Sequence, residues 1–171
     1  MIFGNPSKIA IQIELISEWC SPNFREGIFC VYLNRQRLSP SYVYADTLTV
    51  ATRQLLNGLE TNSMRCGEPL LLPTNLTGMS DKELFNELYK LTYPTDATDL
   101  MVDNCWDFVI SPDVMTDRGF HLFIYKSGLT EVLLGGSTDT ESVVSMSMPM
   151  GTTLAIAKQA NSYVLSFASV S

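Results

Sequence analysis

The chain has 171 residues, of which 46% are hydrophobic and 17% are charged. This length suffices for one domain with a sizeable core, and this balance excludes an intrinsically disordered chain. Eighteen acidic and eleven basic residues give a net charge of −7, and no basic patch of the kind that nucleic-acid-binding domains carry stands out. We therefore expect a single domain over residues 1–171 that does not bind nucleic acid.

Two further features predict the compartment of the protein. The opening residues Met1 to Pro6 do not resemble a secretion signal, and no stretch reaches the roughly 18 apolar residues that a membrane helix needs. The four cysteines lie far apart and form no CxxC pair. We therefore expect a cytoplasmic protein, not bound to a membrane, whose thiols are reduced and mostly buried.

The first elements in the chain are predicted to be strands. Apolar and polar side chains alternate over residues 8–15, which is typical of a half-buried strand. A second β-like run covers residues 28–33. The two runs are expected to pair as an antiparallel ribbon around a loop near residues 21–23.

Two helices are predicted next. Leucine and alanine recur at helical spacing over residues 46–56, and Asn57-Gly58 is typical of a helix end. Residues 61–78 are expected to be a long connection with a short extended piece at 70–72. Ser80 and Glu83 then have the spacing of a capping box, which predicts a helix that ends before Pro94.

The second half of the chain is predicted to be rich in strands. Alternating residues predict strands over 106–110 and 142–148, and the runs 120–125 and 130–134 are expected to form a hairpin around residues 126–129. Gly135-Gly136-Ser137 is interpreted as a turn signal. Residues 152–167 suit either a helix or a strand, and a helix is preferred. The whole pattern predicts an α+β fold, an antiparallel sheet packed against two or three helices.

Little in the sequence indicates catalysis. The single histidine, His121, lies in a strand-like run, and no nucleophile motif or phosphate-binding loop is present. One enzymatic alternative remains, in which Asp107 and His121 form an acid–base pair. The acids at 96, 99, 103 and 107 do not have the spacing of a calcium loop, so no metal and no cofactor are expected.

The most distinctive segment is acidic and covers residues 95–117. It has no lysine or arginine, and its six aspartates are Asp96, Asp99, Asp103, Asp107, Asp113 and Asp117. One interpretation is a solvated face that keeps the protein soluble. The other is a docking surface for a basic protein, with Tyr93 and Trp106 as aromatic anchors. The alternation of Trp106 with Phe108 and Ile110 favours a place in the core over the anchor role. Trp19 is interpreted as a residue at the rim of the core, with an exposed anchor as the alternative.

The N-terminal third resembles a known family. The residues that carry the likeness are Met1 to Ile11, Glu14, Trp19, Gly27-Ile28-Phe29 and Tyr32-Leu33-Asn34. They are similar to the opening of bacterial polymorphic-toxin immunity proteins, family forty-two. The likeness extends more loosely to the later hairpin and the final segment, whereas residues 60–100 have no counterpart.

The resemblance implies a function. Such proteins act in the cytosol of bacteria that deliver toxins to their neighbours, often by contact-dependent growth inhibition, and each blocks the toxic C-terminal domain of its cognate effector. Many of these toxins are nucleases, which need a basic surface for their substrate. The sequence is thus interpreted as a non-enzymatic immunity protein, with an adaptor of a secretion system as the alternative. The resemblance transfers no site residues.

Overall fold

The computed structural model of this protein describes residues 1–21, 24–39, 45–64, 70–93, 105–139 and 142–167, without the side chains of 62–64, 105 and 106. The strands in these ranges are β1 (Ile2–Gly4), β2 (Ile9–Leu15), β3 (Glu26–Leu33), β4 (Gln36–Leu38), β5 (Asp46–Thr47), β6 (Phe120–Ser127), β7 (Thr130–Ser137) and β8 (Val143–Pro149). The helices are α1 (Leu48–Met64), α2 (Asp81–Thr92), α3 (Asp113–Thr116) and α4 (Thr152–Ser166).

The first sheet has the order β1-β2-β3-β4, with β5 paired to the start of β3. The predicted ribbon is confirmed, because β2 and β3 pair antiparallel from Ile9 opposite Leu33 to Leu15 opposite Gly27. A tight turn joins β3 to β4, and its residues Asn34 and Arg35 have φ angles of 49° and 69°. Such positive angles at both central positions match the twist of a two-residue hairpin.

The second sheet has the order β6-β7-β8, and all its pairs are antiparallel. The predicted hairpin is confirmed, and Gly128 adopts a φ of 59° at its tip.

The prediction of a turn at Gly135-Gly136-Ser137 is wrong, because these residues lie in β7. A Cβ added at Gly135 would stand 2.5 Å from Leu38 Cδ1 of the first sheet. The glycine there permits close packing of the two sheets.

Two clusters of buried side chains hold these elements together. The first core lies where one face of the second sheet meets the first sheet, α1 and α4. The second core lies where α2 packs on the opposite face of the second sheet. Both faces of β6 and β7 are therefore buried, which explains their continuous apolar runs.

Helix α1 departs from its prediction at both ends. It extends from Leu48 to Met64 and does not stop at Asn57-Gly58, and Asp46 belongs to a strand. Gly58 lies where the helix touches another segment, since a Cβ there would be 3.2 Å from Ile110 Cα. The glycine therefore serves a close approach inside the helix and is not a stop signal.

Helices α2 and α4 follow their predictions. The capping box of α2 is confirmed, because Ser80 N donates to Glu83 Oε2 at 2.9 Å and Glu83 N donates to Ser80 Oγ at 3.4 Å. The helix preferred from the sequence over residues 152–167 is confirmed, and it covers Thr152–Ser166. The strand predicted over 106–110 is wrong: residues 105–108 form a 3₁₀ turn, and Val109 makes an isolated bridge to Phe123.

The α+β class is confirmed, with one change in layout. Within the described ranges there are two antiparallel sheets where the sequence predicted one, and the short helix α3 joins the three longer helices. Periodicity identifies strands but carries no information on which strands share a sheet.

Candidate partner-binding surface

The structure describes part of the predicted acidic surface. Asp96, Asp99 and Asp103 lie outside the described residues, and so does the Trp106 side chain, although the backbone of Trp106 belongs to the 3₁₀ turn. Asp107 is half-buried in that turn, whereas Asp113 and Asp117 are exposed. Among the described residues of the acidic segment, the exposed carboxylates therefore lie at α3.

Helix α3 is fixed to the middle of α1 by a reciprocal pair of hydrogen bonds. Gln54 Nε2 donates to Asp113 Oδ2 at 2.5 Å, and Asp113 N donates to Gln54 Oε1 at 3.1 Å. Asp117 N donates to Asp113 O at 2.8 Å and closes the helix. The two aspartates thus flank one turn of helix whose position on the molecule is set by side-chain contacts.

A partly buried ion pair holds the other end of this turn. Arg118 pairs with Asp46, which is almost completely buried and also accepts a hydrogen bond from Phe29 N at 3.1 Å. Sequence analysis missed both residues, because a lone arginine beside an aspartate is unremarkable without the fold. The pair connects the acidic turn to β3 and β5.

Tyr93 belongs to a cluster of aromatic rings at the end of α2. It follows α2, and its ring is half-buried, 5.1 Å from the Tyr89 ring and 5.1 Å from the His121 ring between centroids. Burial raises the pKa of the Tyr93 phenol, and the negative charges of Tyr89 and Asp113 raise the pKa further. Of the predicted residues, Tyr93 thus lies in a ring cluster with Tyr89 and His121, whereas Asp113 and Asp117 lie at the two ends of α3.

His121 lies beneath these rings. Its side chain is 5% exposed, and the rings of Phe85, Tyr89 and Tyr93 lie around it at centroid distances of 6.5, 4.8 and 5.1 Å. Nδ1 has no hydrogen-bond partner among the described residues. Burial lowers the His121 pKa to about 4. The histidine is therefore neutral and enclosed near pH 7.

This setting does not support the Asp107–His121 pair. Desolvation is the cause of the lowered His121 pKa, whereas an ionised carboxylate in contact with the ring would raise the pKa. A general base also needs access to the proton that it removes. The packing instead gives His121 a structural place in the second core.

Two aromatic side chains outside the acidic segment are also exposed. Trp19 lies in a 3₁₀ turn after β2 and is 38% exposed, which agrees with a place at the rim of the core. Phe24 in the following loop is 50% exposed. Phe24 was missed by sequence analysis because a single phenylalanine in a loop carries no pattern.

No group of three or more histidine, cysteine, aspartate or glutamate side chains that could hold a metal ion occurs among the described residues. In those residues, no helix has the length and apolar character needed to cross a membrane.

Exposed carboxylates at a turn that is fixed by side-chain contacts are a feature that suits binding of another protein. The sequence profile of the family described as immunity protein 42 matches residues 1–163, so the chain belongs to this family. The resemblance seen in the N-terminal third is thereby confirmed.

A solved structure has the same fold. The crystal structure of CdiI from Burkholderia dolosa AUO158 superposes with a TM-score of 0.75, covering 95% of this chain and 99% of that one, at 17% sequence identity. At this identity the likeness concerns the fold. No curated protein sequence matches the chain.

Proposed function

We propose that this protein is a cytoplasmic immunity protein that binds the toxic C-terminal domain of a secreted effector and blocks its activity without catalysis. The match of the immunity protein 42 profile to residues 1–163 is the observation that carries this proposal. The shared fold with the crystal structure of CdiI from Burkholderia dolosa is consistent with this assignment.

The cognate toxin is proposed to be basic, and a nuclease. The chain has a net charge of −7, and opposite charge accelerates the encounter of two proteins. A nuclease needs a basic surface to bind its substrate, and an acidic inhibitor is attracted to that surface. Occlusion of the substrate site would then be a direct way to neutralise the toxin.

The toxin-binding surface is proposed to be the acidic segment with its two aromatic residues, that is Tyr93, Asp96, Asp99, Asp103, Trp106, Asp107, Asp113 and Asp117. The fixed position of α3 supports this choice, because preorganised charges lose little entropy on binding. The half-buried Tyr93 ring, held against the rings of Tyr89 and His121, offers a rigid contact of the type enriched in interface hot spots.

Co-purification tests the function directly. The tagged protein is isolated from its native cell at low and at high salt, and the proteins bound to it are identified. We expect a single large effector, or its C-terminal fragment, in near-stoichiometric amount, with some loss at high salt. Recovery of no effector, or of secretion-apparatus components alone, would contradict the immunity function and favour an adaptor.

A further inference from the structure

The two edges of the second sheet differ. The outer edge of β6 is covered by two other segments of the chain: Ile110 N donates to Leu122 O at 3.0 Å, Leu122 N donates to Ser111 Oγ at 2.6 Å, and Lys126 N donates to Leu70 O at 2.8 Å. One edge of the sheet is therefore closed by the protein itself.

The hairpin geometry shows which backbone groups of β8 point away from the sheet. Ser127 and Thr130 flank the two-residue turn, so they form a hydrogen-bonded pair, and bonding alternates from there along β7. Glu131, Leu133 and Gly135 consequently bond to Met148, Met146 and Val144. The N–H and C=O groups of the intervening residues 143, 145 and 147 point outward.

Two independent observations agree with this assignment. Leu122, which the same alternation turns away from β7, uses both its N–H and its C=O for bonds on the outer side of β6. Pro149, which has no N–H, occupies an outward position of β8. Proline is tolerated in a sheet at such positions.

The outer edge of β8 is open. Within the described ranges, the outward backbone groups of Val143, Ser145 and Ser147 have no hydrogen-bond partner. The strand is seven residues long and carries no charged side chain. Charged side chains are the usual protection of an exposed edge, so this edge lacks that protection. Ser147 is exposed and the other two are half-buried, so another strand can reach this edge.

The negative charge around the outer edge of β8 favours a basic partner. Asp81, at the start of α2, is exposed and accepts a hydrogen bond from Ser145 Oγ at 2.6 Å. Asp139, just after β7, is also exposed. A second copy of this chain also has a net charge of −7 and is repelled there, whereas a basic chain is attracted.

We propose that an extended segment of the basic toxin adds to the outer edge of β8 as a fourth strand of the second sheet; this inference rests on the proposed function. Main-chain hydrogen bonds to residues 143, 145 and 147 supply affinity, and alternate side chains supply specificity. On the face of Ser145 the toxin presents a lysine or arginine to Asp81. On the other face it presents apolar side chains to Val144 and Met146, which are half-buried against the first core.

The probe for this proposal is the C-terminal domain of the effector encoded beside this gene, purified separately. Amide hydrogen exchange of the full chain is followed residue by residue, free and bound. We expect the amides of Val143, Ser145 and Ser147 to exchange at least about tenfold more slowly in the complex, because they gain hydrogen-bond partners.

A proline variant provides the second measurement. Ser147→Pro removes one outward N–H and leaves the bonds to β7 in place, and Ser147→Ala is the matched control that keeps the N–H. We expect Ser147→Pro to weaken toxin binding by at least about tenfold and the control to change it less than about twofold. Thermal unfolding of both variants establishes that they are folded.

Each outcome has a definite meaning. If the wild-type protein binds the toxin domain but the three amides exchange at their free rates, strand addition is wrong and the proposed function stands. If these amides exchange more slowly as the concentration of the free protein rises, the edge pairs with a second copy of the chain and the proposal is overturned. If the wild-type protein forms no complex, the proposed function and this inference both fail. Should Ser147→Pro not fold, the exchange measurement decides.

Discussion

At the scale of single residues, a buried glutamate takes over the capping of α4. The first residue before this helix, Gly151, has no side chain with which to cap it. Glu131 of β7, 1% exposed, accepts hydrogen bonds from Gly151 N and Thr153 N, both at 2.7 Å, and from Thr153 Oγ1 at 2.6 Å. A side chain distant in sequence thus joins the second sheet to the last helix.

We predict that Glu131→Gln lowers the free energy of unfolding by about 2 kcal/mol, because the amide replaces one acceptor by a donor that faces a backbone N–H. Urea unfolding at pH 7 measures the change. Glu87→Gln is the matched control, since Glu87 is in a surface ion pair with Lys90 and such pairs contribute about 0.5 kcal/mol or less. Equal effects of the two substitutions would show that Glu131 does not cap the helix.

His121 makes stability depend on pH. Its folded-state pKa is about 4, below the ordinary value of 6.5, so the unfolded chain takes up the proton first. Its contribution to stability is therefore complete above pH 6.5 and is lost as pH falls from 6.5 towards 4. The full loss is about 3 kcal/mol.

We predict that His121→Phe removes this dependence. Between pH 7.5 and pH 4, the free energy of unfolding should fall by about 3 kcal/mol more for the wild type than for the variant. The reason is that His121 is the single histidine and the carboxylates are common to both proteins. Denaturant unfolding across this range measures the difference. Parallel stability curves would mean that burial does not hold the imidazole neutral.

At the scale of elements, the contact of α1 with residues 109–110 explains a glycine inside a helix. Gly58 brings the helix backbone close to Ile110, whose Cα would lie 3.2 Å from an added Cβ. We predict that Gly58→Val destabilises the protein by about 2 kcal/mol through overpacking. Asn57→Val, at an exposed position of the same helix, should change stability by about 0.5 kcal/mol or less. Thermal and urea unfolding of the pair decide, and a neutral Gly58→Val would argue against the close approach.

Local signals predicted the elements unevenly. Ser80 and Glu83 lie three residues apart and cap each other, so the start of α2 could be read directly from the sequence. Gly58 and Gly135 were misread as a helix end and a turn, because their reasons are contacts with Ile110 and Leu38. A short-range pattern cannot distinguish a glycine that ends an element from one that admits a distant neighbour.

At the scale of the whole molecule, charge is expected to govern association with the toxin. We predict that the double substitution Asp113→Lys and Asp117→Lys slows association at least about tenfold at low salt, and that the difference shrinks as salt rises. Stopped-flow mixing with the effector's C-terminal domain measures the rates. Glu14→Lys with Glu18→Lys is the control, because it makes the same change in net charge at exposed positions near the end of β2.

The control separates local from global electrostatics. If both double variants slow association equally, net charge alone is responsible and the acidic surface is not the docking site. If neither does, electrostatic steering plays no part, while the immunity function itself is unaffected because affinity can come from short-range contacts.

The sequence by itself determined the α+β class, the β2–β3 ribbon, the hairpin, the capped start of α2 and the family, because these depend on side-chain periodicity and on residues adjacent in the chain. Only the tertiary structure decided the division into two sheets, the enclosure of His121, the cap from Glu131, the Asp46–Arg118 pair and the open edge of β8. These features join residues far apart in the chain, and their partners are selected by packing, which no local pattern records.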